Sequence, residues 1–257
     1  MRNFIDINSD VGERPDALLD GSEERLIAQI SSANIACGVH AGDPKTLEAV
    51  IHLCVKHNVA IGAHPSYPDR QNFGRRVMNL SPEEIEVCVC DQVKSVVEAS
   101  GKLGQVVQHV KPHGALYNEA ARNADVARAI GRGVASIDKR LILFGLAGSR
   151  MLAVWSDQGF DAVGEAFADR KYEHDGSLRS RAYADAMITD PGEAAAQAIR
   201  IANDKIVVAI DGTELGVDAQ TICVHSDTPN SQAIAGEVRR VLISDGFTVA
   251  SFSAWPR

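Results

Sequence analysis

The chain has 257 residues, 45% of them hydrophobic and 23% charged, with 21 glycines and 9 prolines. That is the balance of a globular protein with room for one large core, and it excludes collagenous, disordered and low-complexity classes. Thirty-four acidic residues against 26 basic ones give a net charge of -8, the wrong field for a nucleic-acid partner.

No apolar run approaches the ~20 residues of a membrane span, and the opening Met1-Arg2-Asn3-Phe4-Ile5-Asp6 turns polar too soon for a secretory signal. Five scattered cysteines (Cys37, Cys54, Cys88, Cys90, Cys223) include no CxxC pair and read as reduced thiols, so a cytoplasmic location is expected.

Nine strand-like runs follow in order: Phe4 to Asn8, Ala33 to Cys37, Ala60 to Ala63, Val106 to Val110, Leu141 to Gly145, Ala162 to Phe167, Ile206 to Ile210, Thr221 to Val224 and Phe247 to Phe252. Between most of them lie helical segments with apolar residues near 3.6 spacing, such as Leu47-Val50-Ile51-Cys54 and Ile85-Val89-Val93-Val97. Asp43-Pro44, Ser81-Pro82 and Asp190-Pro191 each place a capping oxygen before a proline at the first helical position. Glu84 and Glu193, three residues after their caps, add the pattern of a capping box.

Strand followed by helix, repeated about seven times, predicts an α/β fold with a parallel sheet. No linker or repeat divides the chain, so residues 1–257 are read as one domain. The charged stretch from Asp169 to Met187 breaks the rhythm and is expected to form a long excursion near the site.

Polar and ionisable residues recur where the expected strands end: Asp6, Asn8, Asp10 and Glu13 with the first, His40 after the second, and His64 after the third. Lys111 and His113 follow the fourth; Glu165 and Asp169 follow a later strand, and His225 another. Many strand ends meet around one mouth only if the sheet curls, which favours a closed (β/α) barrel over an open sheet. Taken singly, Asn8 could cap a turn, Glu13 could cap a helix and any one histidine could be a bonded core residue. Four imidazoles (His40, His64, His113, His225) in equivalent places weigh toward function.

Arg75 and Arg76 flank one loop, and Arg170, Arg179 and Arg181 lie in the excursion. Guanidinium forks suit carboxylate or phosphate, although a single exposed arginine is more often part of a solvated ion pair. No GxxxxGK[ST] and no strand-linked GxGxxG is present, so a familiar phosphate cradle is missing.

Together these motifs resemble the LamB/YcsF family. They are Asp-Ile-Asn-Ser-Asp-Val-Gly-Glu (6–13), Ser-Ala-Asn-Ile-Ala-Cys-Gly-Val-His-Ala-Gly-Asp-Pro (32–44), Gly-Ala-His-Pro-Ser-Tyr-Pro-Asp (62–69) and Phe-Gly-Arg-Arg (73–76). The series continues with Val-Lys-Pro-His-Gly-Ala-Leu-Tyr-Asn (110–118), Glu-Ala-Phe-Ala-Asp-Arg-Lys-Tyr (165–172), Asp-Gly-Ser-Leu (175–178) and Ile-Cys-Val-His-Ser-Asp-Thr-Pro (222–229).

The resemblance implies an irregular seven-stranded (β/α) barrel of the glycoside hydrolase/deacetylase superfamily. It also implies a 5-oxoprolinase activity, the ATP-dependent opening of 5-oxo-L-proline (pyroglutamate) to L-glutamate, with partner subunits B and C. Ser66 and Ser226 stand where the family more often has glycine.

Under that reading Asp10, Lys111, His113, Glu165 and Asp169 are the expected catalytic residues. Lys111 would stabilise charge, and Glu165 or His113 would activate water. Arg75, Arg76, Arg170, Arg179 and Arg181 are the expected nucleotide contacts. Mg2+ is expected on Asp10, Glu13 and Asp169.

One alternative is a metal-dependent amidase without ATP, using Asp10, His40 and His64 to hold Zn2+ or a similar transition metal. Another is a non-catalytic component that only binds lactam or nucleotide.

Overall fold

The computed structural model describes residues 3–256. Its centre is a closed ring of seven parallel strands: β1 (Asn3–Val11), β2 (Ser32–Ala36), β3 (Ala60–His64), β4 (Val107–Val110), β5 (Ile142–Leu146), β6 (Ala162–Phe167) and β9 (Thr221–Cys223), which pairs back onto β1. The expected α/β barrel of about seven strands is therefore present.

Outside the ring stand α1 (Pro15–Leu19), α2 (Ser22–Ile27), α3 (Pro44–His57), α4 (Pro82–Lys102), α5 (Gly114–Arg122), α6 (Ala124–Ala135), α7 (Arg150–Asp157), α8 (Pro191–Asp204) and α9 (Ser231–Ser244). None of the described helices is long and apolar enough to cross a membrane.

The expected helix starts hold. Asp43 accepts from Thr46 N at 2.8 Å and Asp190 from Glu193 N at 2.9 Å, while Ser81 and Glu84 bond reciprocally as a full capping box. Each such cap contributes about 1 kcal/mol, and the proline beside it loses no hydrogen bond.

Two strand-like runs behave differently from the rest. The sequence pattern places Ile206 to Ile210 in the parallel sheet, but β7 (Ile206–Val208) pairs antiparallel with β8 (Glu214–Gly216) outside the ring. Asp211-Gly212 supplies the turn, with Gly212 at φ +88°, a conformation that favours glycine. The run from Phe247 gives β10 (Phe247–Val249), which pairs with Asn3 to Ile5 of β1. β1 therefore serves three strands: β10 along its first residues, β9 from Asp6 to Asn8 and β2 from Asn8 to Val11.

The side-chain period of two sorts β1 cleanly. Ile5, Ile7 and Val11 join the apolar core between ring and helices. Asp6, Asn8 and Asp10 share the opposite face and enter a hydrogen-bonded lumen. Asn34 Nδ2 donates to Asn8 Oδ1 at 2.7 Å, Ser32 Oγ to Asp6 Oδ1 at 2.8 Å and Thr221 Oγ1 to Asp6 Oδ2 at 2.6 Å. His109 reaches across to Asn34 Oδ1 at 2.9 Å. Gly62 makes room for it, since a Cβ there would lie 2.1 Å from His109 Nε2. Barrel interiors are ordinarily filled by branched apolar layers; this lumen is polar, and its polar groups are paired with one another.

Candidate active site

The C-terminal ends of the strands deliver the ionisable groups that the sequence pattern singled out. Lys111, one residue past β4, is 2% exposed. Its Nζ lies 2.7 Å from Glu165 Oε1 on β6, 3.0 Å from Asp10 Oδ1 on β1, 3.1 Å from Asn8 Oδ1 and 3.1 Å from Cys223 Sγ on β9. Burial alone would neutralise this ammonium, but the charges of Asp10 and Glu165 outweigh it and hold the group well above its ordinary range. Asp10 is likewise held well below its usual range, because His64 and Lys111 overcome the cost of its burial.

Behind Lys111, Glu165 also accepts from Asn8 Nδ2 at 2.9 Å and from Tyr117 Oη at 2.7 Å. Tyr117, on α5, lies within the 110–118 motif but is not among the expected site residues; only the fold brings that helix over β6. With three donors upon it, the Glu165 carboxylate is a fixed counter-charge.

A second group lies beside the first. His64 Nε2 is 3.4 Å from Asp10 Oδ2 and 3.0 Å from His113 Nδ1. Glu13 Oε1 is 3.0 Å from His40 Nε2 and 3.2 Å from His113 Nδ1. Burial pushes His40 down to about 4, so its ring is neutral near pH 7. Gly74 closes the group from above at φ +64°; a Cβ there would meet Ser66 Oγ at 2.1 Å and His113 Cδ2 at 3.1 Å. Ser66 is fully buried and donates to Tyr67 O at 2.8 Å, whereas Ser226 Oγ is buried without a partner.

Asp169 sits across the mouth. Its carboxylate takes the His225 backbone N–H at 2.9 Å and faces His225 Nδ1 at 3.0 Å, with the Thr228 hydroxyl also donating to it. It serves as the support for His225.

These groups open into a cavity of about 880 Å³ whose lining includes Asp10, His64, Lys111, His113 and His225. The arginines are divided. Arg75, Arg179 and Arg181 line the cavity, yet Arg75 and Arg181 both bind Asp227, and Arg179 pairs with Glu173 and Asp185. Arg170 also lines it, but is 6% exposed and ties the excursion together through Arg179 O and Ala186 O. Arg76 is exposed and lies outside the lining.

Fold and site together define a (β/α) barrel with a cavity lined by ionisable residues at the C-terminal mouth of its strands. The chain belongs to the LamB/YcsF family, whose model matches residues 5–257. It is 47% identical over 245 residues to the A-type subunit of the 5-oxoprolinase of Chloroflexus aggregans, covering 95% of this chain and 97% of that one. With the corresponding 5-oxoprolinase component of Methylococcus capsulatus it shares 43% identity over 255 residues, or 99% of this chain and 98% of the relative. The crystal structure of a lactam utilization protein from Thermus thermophilus superposes with a TM-score of 0.89 at 40% identity, covering 97% of this chain and all of that one.

Proposed function

We propose that this chain is the A-type subunit of a 5-oxoprolinase, which opens the lactam of 5-oxoproline to L-glutamate with ATP hydrolysed to ADP and phosphate. Subunits B and C are its partners in this reading. Relatives that match along nearly their whole length and carry that name support it. The observation within this structure that carries it is the Lys111 ammonium, fixed among Asn8, Asp10, Glu165 and Cys223 at the edge of the cavity.

A five-membered lactam is a stabilised amide, so its opening requires that charge developing on the carbonyl oxygen be stabilised. A pre-set cation in a site with little water does this without reorganising as the reaction proceeds. His225 is the group best placed to take a proton from the attacking water. Asp169 fixes its Nδ1–H, which leaves Nε2 as the basic nitrogen. The substrate's own carboxylate would be met by Arg181 or Arg75, whose shared partner Asp227 holds them at the rim.

The triphosphate is a poorer fit to this chain alone. The guanidinium groups of Arg75, Arg170, Arg179 and Arg181 already hold carboxylates or backbone carbonyls. The carboxylates considered for Mg2+ also have partners: Asp10 has Lys111, Glu13 has His40, and Asp169 has His225 and Thr228. Phosphoryl transfer depends on positioning, so we assign it to a site that the partner subunits complete.

Glutamate formation from 5-oxoproline, ATP and Mg2+ tests the reading. The isolated chain should give background rates, and addition of subunits B and C should raise them steeply. No turnover with both partners present would refute the assignment, and full turnover by the chain alone would place the nucleotide site within it.

A further inference from the structure

His64 and His113 are held in defined tautomers by backbone carbonyls. His64 Nδ1 lies 2.6 Å from Lys111 O, and His113 Nε2 lies 2.9 Å from Phe73 O. A carbonyl oxygen only accepts, so each of these nitrogens carries a hydrogen. In a neutral imidazole the opposite nitrogen is then a bare acceptor. Those opposite nitrogens, His64 Nε2 and His113 Nδ1, face each other at 3.0 Å. Glu13 Oε1, a third acceptor, is 3.2 Å from His113 Nδ1 and 3.9 Å from His64 Nε2. All three side chains are buried. Three acceptors around one point, with no donor among them, require a positive centre.

His40 completes the surround in another capacity. Its Nε2 is 3.0 Å from Glu13 Oε1, and its Nδ1 is buried without a partner. Donation from Nε2 to Glu13 leaves Nδ1 as the unpaired atom in its acceptor form, whereas the other tautomer would strand a buried N–H. The His40 ring also stacks on His113, with centroids 4.0 Å apart and planes at 8°, so its in-plane lone pair runs alongside that of His113. His40 thus orients Glu13 and does not converge on the same point.

We propose that Glu13, His64 and His113 form a site for one divalent cation of the Zn2+ type, with a fourth position facing the barrel cavity. Ligand atoms around a tetrahedral Zn2+ with bonds of 2.0–2.1 Å are about 3.3 Å apart. Two of the three observed spacings, 3.0 and 3.2 Å, are close to that edge, and the 3.9 Å spacing closes with a small turn of the Glu13 carboxylate. Two imidazoles and one carboxylate select such an ion over Mg2+, which prefers oxygen donors throughout.

The carbonyls of Lys111 and Phe73 supply the outer hydrogen bonds that metal-ligating histidines characteristically make. Three protein ligands and a fourth position on a cavity are the arrangement of a catalytic metal centre, not a closed structural one. Asp10 Oδ2, 3.4 Å from His64 Nε2, stands where it would accept a hydrogen bond from a water in that position. Of the trio Asp10, His40 and His64 expected from sequence, this set keeps His64 as a ligand. Metal binding at these three residues does not depend on lactam opening.

The full-length protein, stripped with a chelator, is titrated with Zn2+ and in parallel with Co2+. Bound metal per chain is read by atomic emission, and coordination by the visible absorption of Co2+. The expected result is one equivalent per chain, an intense four-coordinate Co2+ spectrum and a higher melting temperature. Glu13→Gln, nearly isosteric, and His113→Ala should each weaken binding at least tenfold, while His57→Ala on the C-terminal turn of α3 should leave it unchanged. Failure of the stripped protein to take up one equivalent would overturn the proposal. So would wild-type binding by both Glu13→Gln and His113→Ala, or an imidazole NMR signal showing a proton shared by His64 and His113 that persists in excess Zn2+.

Discussion

Asp169 grips His225 twice, accepting its backbone N–H at 2.9 Å and facing its ring Nδ1 at 3.0 Å. Main chain and imidazole are thereby set by one buried carboxylate, itself held below its usual range by His225 despite the cost of burial. Asp169→Asn keeps the shape but can present an amide N–H to Nδ1, favouring the wrong tautomer. Under the proposed mechanism kcat should fall about a hundredfold or more, with KM changed far less. Steady-state kinetics of the reconstituted complex decides; an unchanged kcat would remove His225 from the chemistry.

Lys111 is a buried cation whose loss would strand Asp10 and Glu165. Lys111→Met should cost about 3–5 kcal/mol, or roughly 10 °C in melting temperature for a chain of this size. Adding Glu165→Gln should recover part of that loss, because one of the stranded charges is removed. Thermal melts of both single variants and the double variant give the coupling; strict additivity would mean that the two groups do not interact.

Asp6 makes stability fall as pH rises. Burial lifts its carboxyl from 3.8 to about 6 in the folded chain, although Ser31, Thr221 and Ser32 donate to it. Between those values the folded state binds a proton that the unfolded state has lost, so its contribution is fullest below pH 3.8 and is gone above pH 6. The difference is worth about 3 kcal/mol. Asp6→Asn should flatten this part of the stability profile, measured by denaturant unfolding across the range. A slope unchanged by the substitution would mean that Asp6 titrates normally.

The excursion arginines should separate by role. Arg181→Ala, at the cavity rim, should raise KM for 5-oxoproline several-fold with little change in melting temperature. Arg170→Ala removes hydrogen bonds that hold the excursion to itself and should lower the melting temperature first. Equal behaviour of the two variants in both assays would contradict this division.

Much of the site was legible because Asp10, His64, Lys111 and Glu165 each sit at or just past a strand end, and a parallel barrel gathers such ends by construction. What could not be read was who faces whom. Tyr117 reaches Glu165 across 48 residues, and Arg75 reaches Asp227 across 152, distances over which local pattern carries no information. Arg170 looked like an anion ligand because charge is visible in sequence, whereas the carbonyls that occupy it are not. The β7–β8 hairpin did carry a signal, Asp211-Gly212, but an apolar run in a strand-and-helix rhythm outweighed it.

The pairing of β1 with late strands also bears on how the chain is made. The segment Asp6 to Asn8 waits for Thr221, 215 residues downstream of Asp6, and the first residues of β1 wait for Phe247 to Val249. While the chain emerges from the ribosome, β1 can pair with β2 on one side but leaves open backbone donors and acceptors on the other. Ring closure is thus delayed until Thr221–Cys223 has been synthesised, and partial barrels present a free strand edge to neighbouring chains. Slow elongation or truncation upstream of β9 should therefore yield aggregates, not a smaller folded barrel.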